Sequence, residues 1–176
     1  MSSKDALTKD PHSKDNNSLG GLAVYRWLAV SILILFADQL TKQMIVQNMD
    51  LYERIEILPF FNLFYIHNLG AAFGFLNDQP GWQRWFFSIV TTVVSLGILY
   101  WLTKLKPSQK LLIIALVFVL GGALGNLFDR VMFGYVIDFI DWHAFGYHWP
   151  SFNIADMAIS MGAFLLILDS FINSES

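Results

Sequence analysis

Acidic side chains beside apolar sequence are the residues of this chain best suited to do chemistry. Asp38, Asp129 and Asp156 each lie near the end of a long apolar run, and Asp138 and Asp141 lie between two such runs. Carboxylates that share a partly dry site cannot all ionise, so one of them keeps a proton near neutral pH. One carboxylate can then take a proton from water while its protonated partner polarises a peptide carbonyl, as in peptide hydrolysis. The same groups could instead carry protons across a membrane.

Other catalytic chemistries lack the residues that they need. The chain has no cysteine, and its four histidines form neither a His-Glu-x-x-His pair nor any other paired zinc motif. Neither a Gly-x-Ser-x-Gly elbow nor a phosphate-binding Gly-x-x-x-x-Gly-Lys run occurs. Lys42 follows Asp38 by four residues, so an ion pair on one helix face is its simplest role. We therefore expect no metal and no cofactor.

The composition indicates that these acids lie in a membrane protein. Of the 176 residues, 55% are hydrophobic and only 14% are charged, about half the usual charged share. So few charges could not cover the surface of a soluble globule, and the mean hydropathy is +0.50. The net charge of −3 supplies no basic surface for nucleic acid, which is excluded as a partner.

Four apolar runs are long enough to cross a bilayer as helices, which takes roughly 20 residues. They cover about residues 22–46, 85–105, 111–132 and 153–172. We therefore predict an all-α membrane protein with four transmembrane helices in one catalytic domain, residues 22–173. The polar residues 1–21 are predicted to form a disordered tail. Two longer loops, about residues 47–84 and 133–152, connect the first span to the second and the third to the fourth.

Basic residues predict the direction of the spans, because Lys and Arg stay on the cytoplasmic side. They gather before the first span and between the second and third: Lys4, Lys9, Lys14, Arg26, Lys104, Lys106 and Lys110. Both termini are therefore predicted to be cytoplasmic, with the two longer loops outside. The apolar, aromatic residues 56–67 are too few to cross, so they predict a small extended segment on the outer face. This topology brings acids from three spans to one outer boundary.

Several polar residues accompany these acids. Asn126 and Asn153 each precede an acid by three residues, which places amide and carboxylate on one helical turn. Asp129 is followed directly by Arg130, which favours structural charge pairing over catalysis. From the residues alone, Asp156 is the favoured catalytic candidate. Its partner stays open among three others: Asp129, Asp138 and Asp141.

Small residues occur at two places that could bring backbones together. Gly121 and Gly125 form a Gly-x-x-x-Gly pair, which usually serves helix packing. The string Asn68-Leu-Gly-Ala-Ala-Phe-Gly74 would let a substrate backbone approach, although a tight turn is its simpler interpretation.

Five motifs, taken in chain order, match a known family. They are Asp38-Gln-Leu-Thr-Lys42, Asn68-Leu-Gly-Ala-Ala-Phe-Gly74, Gly121-Gly-Ala-Leu-Gly-Asn-Leu-Phe-Asp-Arg130, Val136-Ile-Asp-Phe139 and Phe152-Asn-Ile-Ala-Asp156. Together they resemble bacterial lipoprotein signal peptidase, signal peptidase II, over about residues 22–172. Each motif alone is a weak signal, whereas five in this order in a four-span chain are highly specific.

The resemblance implies an integral aspartic endopeptidase of the bacterial inner membrane, with its active site at the periplasmic face and no metal. Such an enzyme removes the signal peptide from diacylglyceryl-modified prolipoproteins, N-terminal to the lipidated cysteine. The family motifs imply that Asp138 and Asp156 are the catalytic pair. They imply supporting or substrate-lining roles for eight residues: Asn68, Gly70, Asn126, Asp129, Arg130, Asn153, Asp38 and Lys42. The expected partners are the lipidated signal peptide and membrane lipid, the expected state is a monomer, and the outer extended segment is expected to form a cradle over the site.

Two other functions and one departure from the family pattern stay open. A small proton-coupled transporter would also need intramembrane acids, but near the bilayer midplane. A scaffold protein would explain the spans and leave the acids without a role. Asp141 adds an acid three residues after Asp138; in a helix it would face the same way and could perturb the titration of the pair.

Overall fold

Four long helices make up most of the part of the chain that the structure describes. The computed structural model describes residues 25–70 and 81–173. Helices α1 (Leu28–Asn48), α2 (Trp82–Leu102), α3 (Lys110–Met132) and α4 (Ile154–Asn173) are each long and apolar enough to cross a bilayer. The prediction of four membrane-length helices is therefore confirmed. The predicted tail, residues 1–21, lies outside the described residues, as do residues 71–74 of the small-residue string.

Helix α3 is the centre of the bundle. Its apolar stretch is 56% buried, against 22% for α1, 22% for α2 and 17% for α4, because α3 packs against all three other helices. The outer helices leave large apolar side chains uncovered, such as Ile89, Val93 and Leu96 of α2 at 62%, 63% and 61% exposure. An apolar surface of this kind is costly in water and ordinary in lipid. The bundle is therefore built for an apolar solvent.

Apolar packing and one polar contact join the first three helices. Ile98 and Leu102 of α2 pack against Leu116 of α3 in a buried cluster. The buried hydroxyl of Ser31 in α1 donates to the Val117 carbonyl oxygen of α3 over 2.7 Å. Lipid offers no partner to a hydroxyl, so this bond between helices satisfies the group and aligns α1 with α3.

Glycines let α3 approach its neighbours closely. A Cβ placed on Gly121 would lie 2.9 Å from a backbone oxygen of α1, and one on Gly125 would lie 2.6 Å from Asp38 Oδ2. A Cβ on Gly122 would collide with the Ala155 carbonyl oxygen of α4. The pair Gly121 and Gly125 thus faces α1 at close range, as helix-packing glycines do. Gly122, which the sequence did not single out, gives α4 the same access.

A four-stranded antiparallel sheet is formed by the two long loops between helices. Strands β1 (Arg54–Leu58), β2 (Phe61–Asn68), β3 (Val136–Ala144) and β4 (Tyr147–His148) pair in the order β1-β2-β3-β4. The extended segment predicted over residues 56–67 corresponds to β1 and β2. The second loop, residues 133–152, contributes β3 and β4, so the sheet is larger than the sequence predicted.

The sheet packs on the last turns of α1. Ile45 and Met49 at the end of that helix form a buried cluster with Tyr65 of β2 and with Ile137 and Phe139 of β3. The C-terminal half of α1 therefore runs beyond the first turn of α4 and alongside the sheet. Asp38, predicted near the outer end of its span, instead lies in the middle of α1 and still reaches the first turn of α4.

A bulge in β3 decides which way its acids face. The N–H groups of Phe139 and Ile140 both donate to the Phe152 carbonyl oxygen, over 3.1 and 2.8 Å. Two residues opposite one interrupt the strict alternation of side chains along a strand. Asp138 and Asp141 consequently line the same cavity. The segment is a strand rather than the helix considered from the sequence, and the bulge produces the shared direction.

We expect Gly122→Ala to destabilise the fold, because its methyl group would meet the α4 backbone and would lie 2.8 Å from Ile159 Cγ1. Overpacking of this kind costs about 1–3 kcal/mol. Thermal unfolding in detergent, followed by tryptophan fluorescence, should show a lower Tm.

Gly97→Ala in α2 is the matched control, since nothing lies within 4 Å of a Cβ placed there. It should leave the Tm unchanged or raise it, because alanine is the better helix former. Equal Tm values for the two variants would contradict the close approach of α3 and α4.

Candidate active site

Asp156 lies in the first turn of α4, where it closes the helix N-terminus. The Asn153 N–H donates to Asp156 Oδ2 over 3.2 Å, and the Asp156 N–H donates to Asn153 Oδ1 over 3.0 Å. This reciprocal pair is a capping box, which satisfies N–H groups that have no partner at a helix start. The start of α4 thus holds the Asp156 carboxylate in a fixed direction.

Asp138 lies near the start of β3 and binds the same asparagine. Asn153 Nδ2 donates to Asp138 Oδ1 over 2.7 Å, and the backbone N–H of Asn153 donates to Asp156 Oδ2, so the fully buried Asn153 contacts both carboxylates. Asn68 at the end of β2 donates from Nδ2 to Asp138 Oδ2 over 2.9 Å. One residue, Asn153, therefore joins the two acids that the family motifs single out, through its side-chain amide and its backbone N–H.

Asn126 of α3 completes the amide network. Its Nδ2 donates to Asp156 Oδ1 over 2.7 Å, and its Oδ1 accepts from Asn153 Nδ2 over 3.2 Å. The same Oδ1 accepts from Lys42 Nζ over 3.1 Å. Asn68, Asn126 and Asn153 thus surround two carboxylates with neutral donors that add no charge.

Burial determines the protonation of Asp138, which is only 1% exposed. Burial raises the pKa of Asp138, and the nearby Asp156 carboxylate raises it further, to about 7. Hydrogen bonds from Asn68 and Asn153 and the charge of Lys42 favour the ionised form but do not cancel this effect. The two acids can therefore hold one proton between them near neutral pH.

A second pair of acids is tied to one buried cation. Lys42 Nζ lies 2.8 Å from Asp38 Oδ2 and 2.8 Å from Asp129 Oδ2, and each of these side chains is no more than 1% exposed. The other Asp38 oxygen accepts from the Ala155 N–H of α4 over 2.9 Å, and Asp129 Oδ2 also accepts from the Ile137 N–H of β3 over 3.1 Å. This ion cluster, Asp38, Lys42 and Asp129, joins α1, α3, α4 and β3.

Gln39 belongs to the ion cluster, and the sequence reasoning missed it. Its Nε2 donates to Asp129 Oδ1 over 2.8 Å and to Asp38 Oδ2 over 3.2 Å. A signal was present, because Gln39 lies inside the motif that begins at Asp38 and ends at Lys42. A polar residue adjacent to an acid in an apolar run needs a partner, and this one supplies Asp129 with a third donor, after Lys42 and the Ile137 N–H.

Arg130 does not act on the acid beside it in the sequence. Its Nη2 donates to the Gly70 carbonyl oxygen over 2.9 Å, its Nη1 lies 3.5 Å from the Asn126 carbonyl oxygen, and its guanidinium lies 5.2 Å from the centre of the Phe87 ring. Asp129 binds Lys42 instead. Asp129 and Arg130 were expected to pair with each other, but Arg130 instead holds the Gly70 carbonyl.

A cavity of about 290 Å³ opens beside Asp138 along the sheet. Phe64 and Ile66 of β2 form part of its wall, and Trp149 forms another part. Asp138 lines this cavity, and so does Asp141 with polar side chains that surround it. The cavity is large enough for several atoms of a peptide to approach the Asp138 carboxylate.

Asp141 is 1% exposed and has its own partners. Asn62 Nδ2 donates to its Oδ2 over 2.9 Å, His148 Nδ1 lies 2.9 and 3.0 Å from its two oxygens, and Arg54 Nε lies 3.5 Å away. Burial opposes ionisation, but these contacts outweigh it and hold the pKa of Asp141 below its ordinary value. Asn62, Arg54 and His148 were not candidates from the sequence, since only the fold brings them to Asp141.

The three possible partners of Asp156 therefore differ in their surroundings. Asp138 and Asp156 both accept a hydrogen bond from Asn153, whereas Asp129 binds Lys42 and Asp141 binds the donors of the sheet. Among residues 25–70 and 81–173, no group of three or more histidine, aspartate or glutamate side chains is placed to hold a metal ion.

Comparison with known sequences gives a consistent result. The model of the family described as signal peptidase (SPase) II matches residues 30–172. A lipoprotein signal peptidase of Alteromonas mediterranea is 53% identical over 150 residues, which is 85% of this chain and 82% of that protein. One from Vibrio parahaemolyticus is 51% identical over 148 residues, covering 83% of this chain and 88% of that protein.

Comparison with solved structures extends the likeness to the fold. A bacterial membrane enzyme determined by the in meso method at 2.3 Å resolution superposes with a TM-score of 0.76 at 33% identity, covering 85% of this chain and 89% of the other. A second, at 1.9 Å resolution, gives 0.73 at 32% identity, covering 81% and 90%. Four membrane-length helices, a matching family model and relatives at about half identity agree: the chain is a multi-pass membrane protein that belongs to the signal peptidase II family.

Proposed function

We propose that the protein is an aspartic endopeptidase that removes the signal peptide from diacylglyceryl-modified prolipoproteins, N-terminal to the lipidated cysteine. The observation that carries the proposal is that the carboxylates of Asp138 and Asp156 both accept a hydrogen bond from Asn153, and that Asp138 lines an open cavity. Membership of the signal peptidase II family supplies the substrate class. In this proposal the protein acts as a monomer, since the two acids and the asparagines that hold them lie within one chain and the chemistry requires no second copy.

The proposed reaction uses the single proton shared by the two acids. Asp138, with a pKa of about 7, carries that proton and donates a hydrogen bond to the carbonyl oxygen of the scissile peptide. Asp156, ionised, takes a proton from a water molecule held between them, and the water oxygen bonds to the carbonyl carbon. The tetrahedral intermediate then breaks its C–N bond as the cysteine nitrogen takes a proton from the pair. The products are a free signal peptide carboxylate and a new amino terminus.

The neighbouring polar residues position this pair in the proposal. Asn126 and Asn153 fix the carboxylates, and Asn68 holds the second oxygen of Asp138. Arg130 binds the Gly70 carbonyl and so holds Gly70, just after β2, near the cavity that Asn68 lines. Substrate would run between this turn and the sheet, with its acyl chains in the surrounding lipid.

The proposal also includes a location for the site. The site lies where β3 and α4 begin, at one end of the helix bundle, and we place that end at the periplasmic face of the bacterial inner membrane with both termini cytoplasmic. The charge distribution of the sequence supports this orientation. A proton-coupled transporter would need its acids near the middle of the spans, and Asp138 and Asp156 do not lie there.

Replacing either acid should abolish cleavage. Asp138→Asn and Asp156→Asn keep the shape of the side chain but remove the acid or the base, so turnover of a lipidated precursor in liposomes should fall by about 100-fold or more. Asp169→Asn, in the last turns of α4, is the matched control and should keep wild-type turnover. Near-normal cleavage by either site variant, with an unchanged Tm, would rule out the pair.

The pH profile should depend on Asp138. At low pH both acids are protonated and no base remains; above about pH 7 the pair loses its shared proton and no acid remains. We therefore expect kcat/KM to fall on both sides, with the alkaline limb near pH 7.

Asn68→Ala should move that limb to higher pH. The Asn68 hydrogen bond favours the ionised form of Asp138, so its loss raises the pKa of Asp138 further. Asn48→Ala removes an exposed amide that binds only its own helix, and it should leave the limb in place. An alkaline limb that is the same in all three proteins would show that Asp138 does not set it.

Lys42→Met should destabilise the protein severely. It leaves the Asp38 and Asp129 carboxylates buried without their cation, and breaking a buried ion pair on one side costs about 3–5 kcal/mol. The yield of folded protein and the Tm should both fall, whereas Lys104→Met at an exposed position should change neither. A wild-type Tm for Lys42→Met would contradict a structural role for the ion cluster.

A further inference from the structure

A cluster of three polar side chains beside the proposed catalytic pair has no part in the proposed chemistry. Asp141, Arg54 and His148 line the same cavity as Asp138, and they lie on β3, β1 and β4 respectively. Asp141 is already supplied with donors by Asn62 and His148, so its carboxylate needs nothing from a substrate. The hydrogen-bonding capacity that these three side chains still have free therefore lies on a residue other than Asp141.

That capacity belongs to Arg54. Its Nε faces Asp141 at 3.5 Å, and its guanidinium carbon lies 4.3 Å from the centre of the Phe64 ring, while its side chain stays 39% exposed. Its two terminal nitrogens have no hydrogen-bond partner among the described residues. A guanidinium that lies over an aromatic ring, with its two terminal nitrogens free to donate, is well placed to bind a carboxylate or an amide oxygen.

We propose, on the basis of the proposed function, that Arg54 forms a specificity subsite for the mature part of the precursor, on the C-terminal side of the lipidated cysteine. The subsite favours an acidic side chain and disfavours a basic one. His148 and Asn62 support it indirectly, because they occupy the Asp141 oxygens that would otherwise compete for the guanidinium. Phe64 positions the guanidinium at the cavity.

The sheet spacing fixes which residue reaches the subsite. Arg54 pairs with Phe64 and Asp138 pairs with Ile66, so Asp138 lies two strands across and two residues along the sheet from Arg54. At about 4.8 Å per strand and about 3.4 Å per residue the separation is about 12 Å. An extended peptide advances about 3.3 Å per residue, so about three to four residues, counted from the residue before the scissile bond, cover that distance. The side chain at Arg54 is therefore the second or third after the lipidated cysteine.

The test compares two lipidated precursors that differ only by Asp or Lys at one of these positions. The measured quantity is the ratio of their kcat/KM values with one enzyme preparation, which does not depend on the fraction of enzyme that is folded. Wild-type protein should prefer the Asp precursor about fivefold at the second or the third position, as expected for a partly exposed charge pair. Arg54→Gln should bring the ratio close to one, and Arg54→Glu should invert it.

Lys104→Glu is the matched control, since it makes the same charge change at an exposed position just after the C-terminal end of α2, and it should keep the wild-type ratio. A wild-type ratio of one at both positions, or a ratio that Arg54→Glu leaves unchanged, would overturn the subsite while cleavage itself stands. Failure of wild-type protein to cleave either precursor would instead overturn the proposed function, and the subsite with it.

Discussion

A buried lysine between two aspartates is the constraint on which the rest of the site depends. Ions in an apolar interior are tolerated only when they are paired and hydrogen-bonded, so Lys42 has to stay between Asp38 and Asp129. Those acids in turn bind the N–H groups of Ala155 and Ile137. The start of α4 and the start of β3 are thereby held against α1 and α3. These are the two elements that carry Asp156 and Asp138.

The same lysine also determines how the asparagines point. An amide has one accepting and one donating end, and Lys42, which can only donate, binds the oxygen of Asn126. The nitrogen of Asn126 is therefore turned toward Asp156. The Asn126 oxygen also accepts from Asn153, whose nitrogen reaches Asp138. Lys42 thus orders a chain of hydrogen bonds that ends on Asp138 and Asp156, although it does not bind either of these two acids directly.

Local patterns predicted the helices well and the sheet poorly. An apolar run carries its own signal, so four membrane-length helices could be identified from hydropathy alone. The pairing of β2 with β3 joins residues about 70 positions apart in the chain, such as Asn68 and Val136, and no local period reports it. Gln39 had a signal in its motif, but the contacts of Arg54 and Asn62 with Asp141 exist only because the sheet forms. The bulge at Phe139 and Ile140 was equally invisible from the sequence.

The two pairs of acids differ in the charge of their partners, and this difference suits different tasks. Asp38 and Asp129 are held by a cation, which compensates the charge of a carboxylate and fixes its position in the structure. Asp138 and Asp156 are held by asparagines, which orient a carboxylate without a charge that would keep it ionised. A cation in the place of Asn153 would hold both acids in the ionised form and remove the proton that acid catalysis needs. Neutral donors keep the carboxylates in place and leave the shared proton free to move. Because asparagine side chains separate Lys42 from Asp138 and Asp156, the two acids can exchange a proton although they are buried and held in fixed positions.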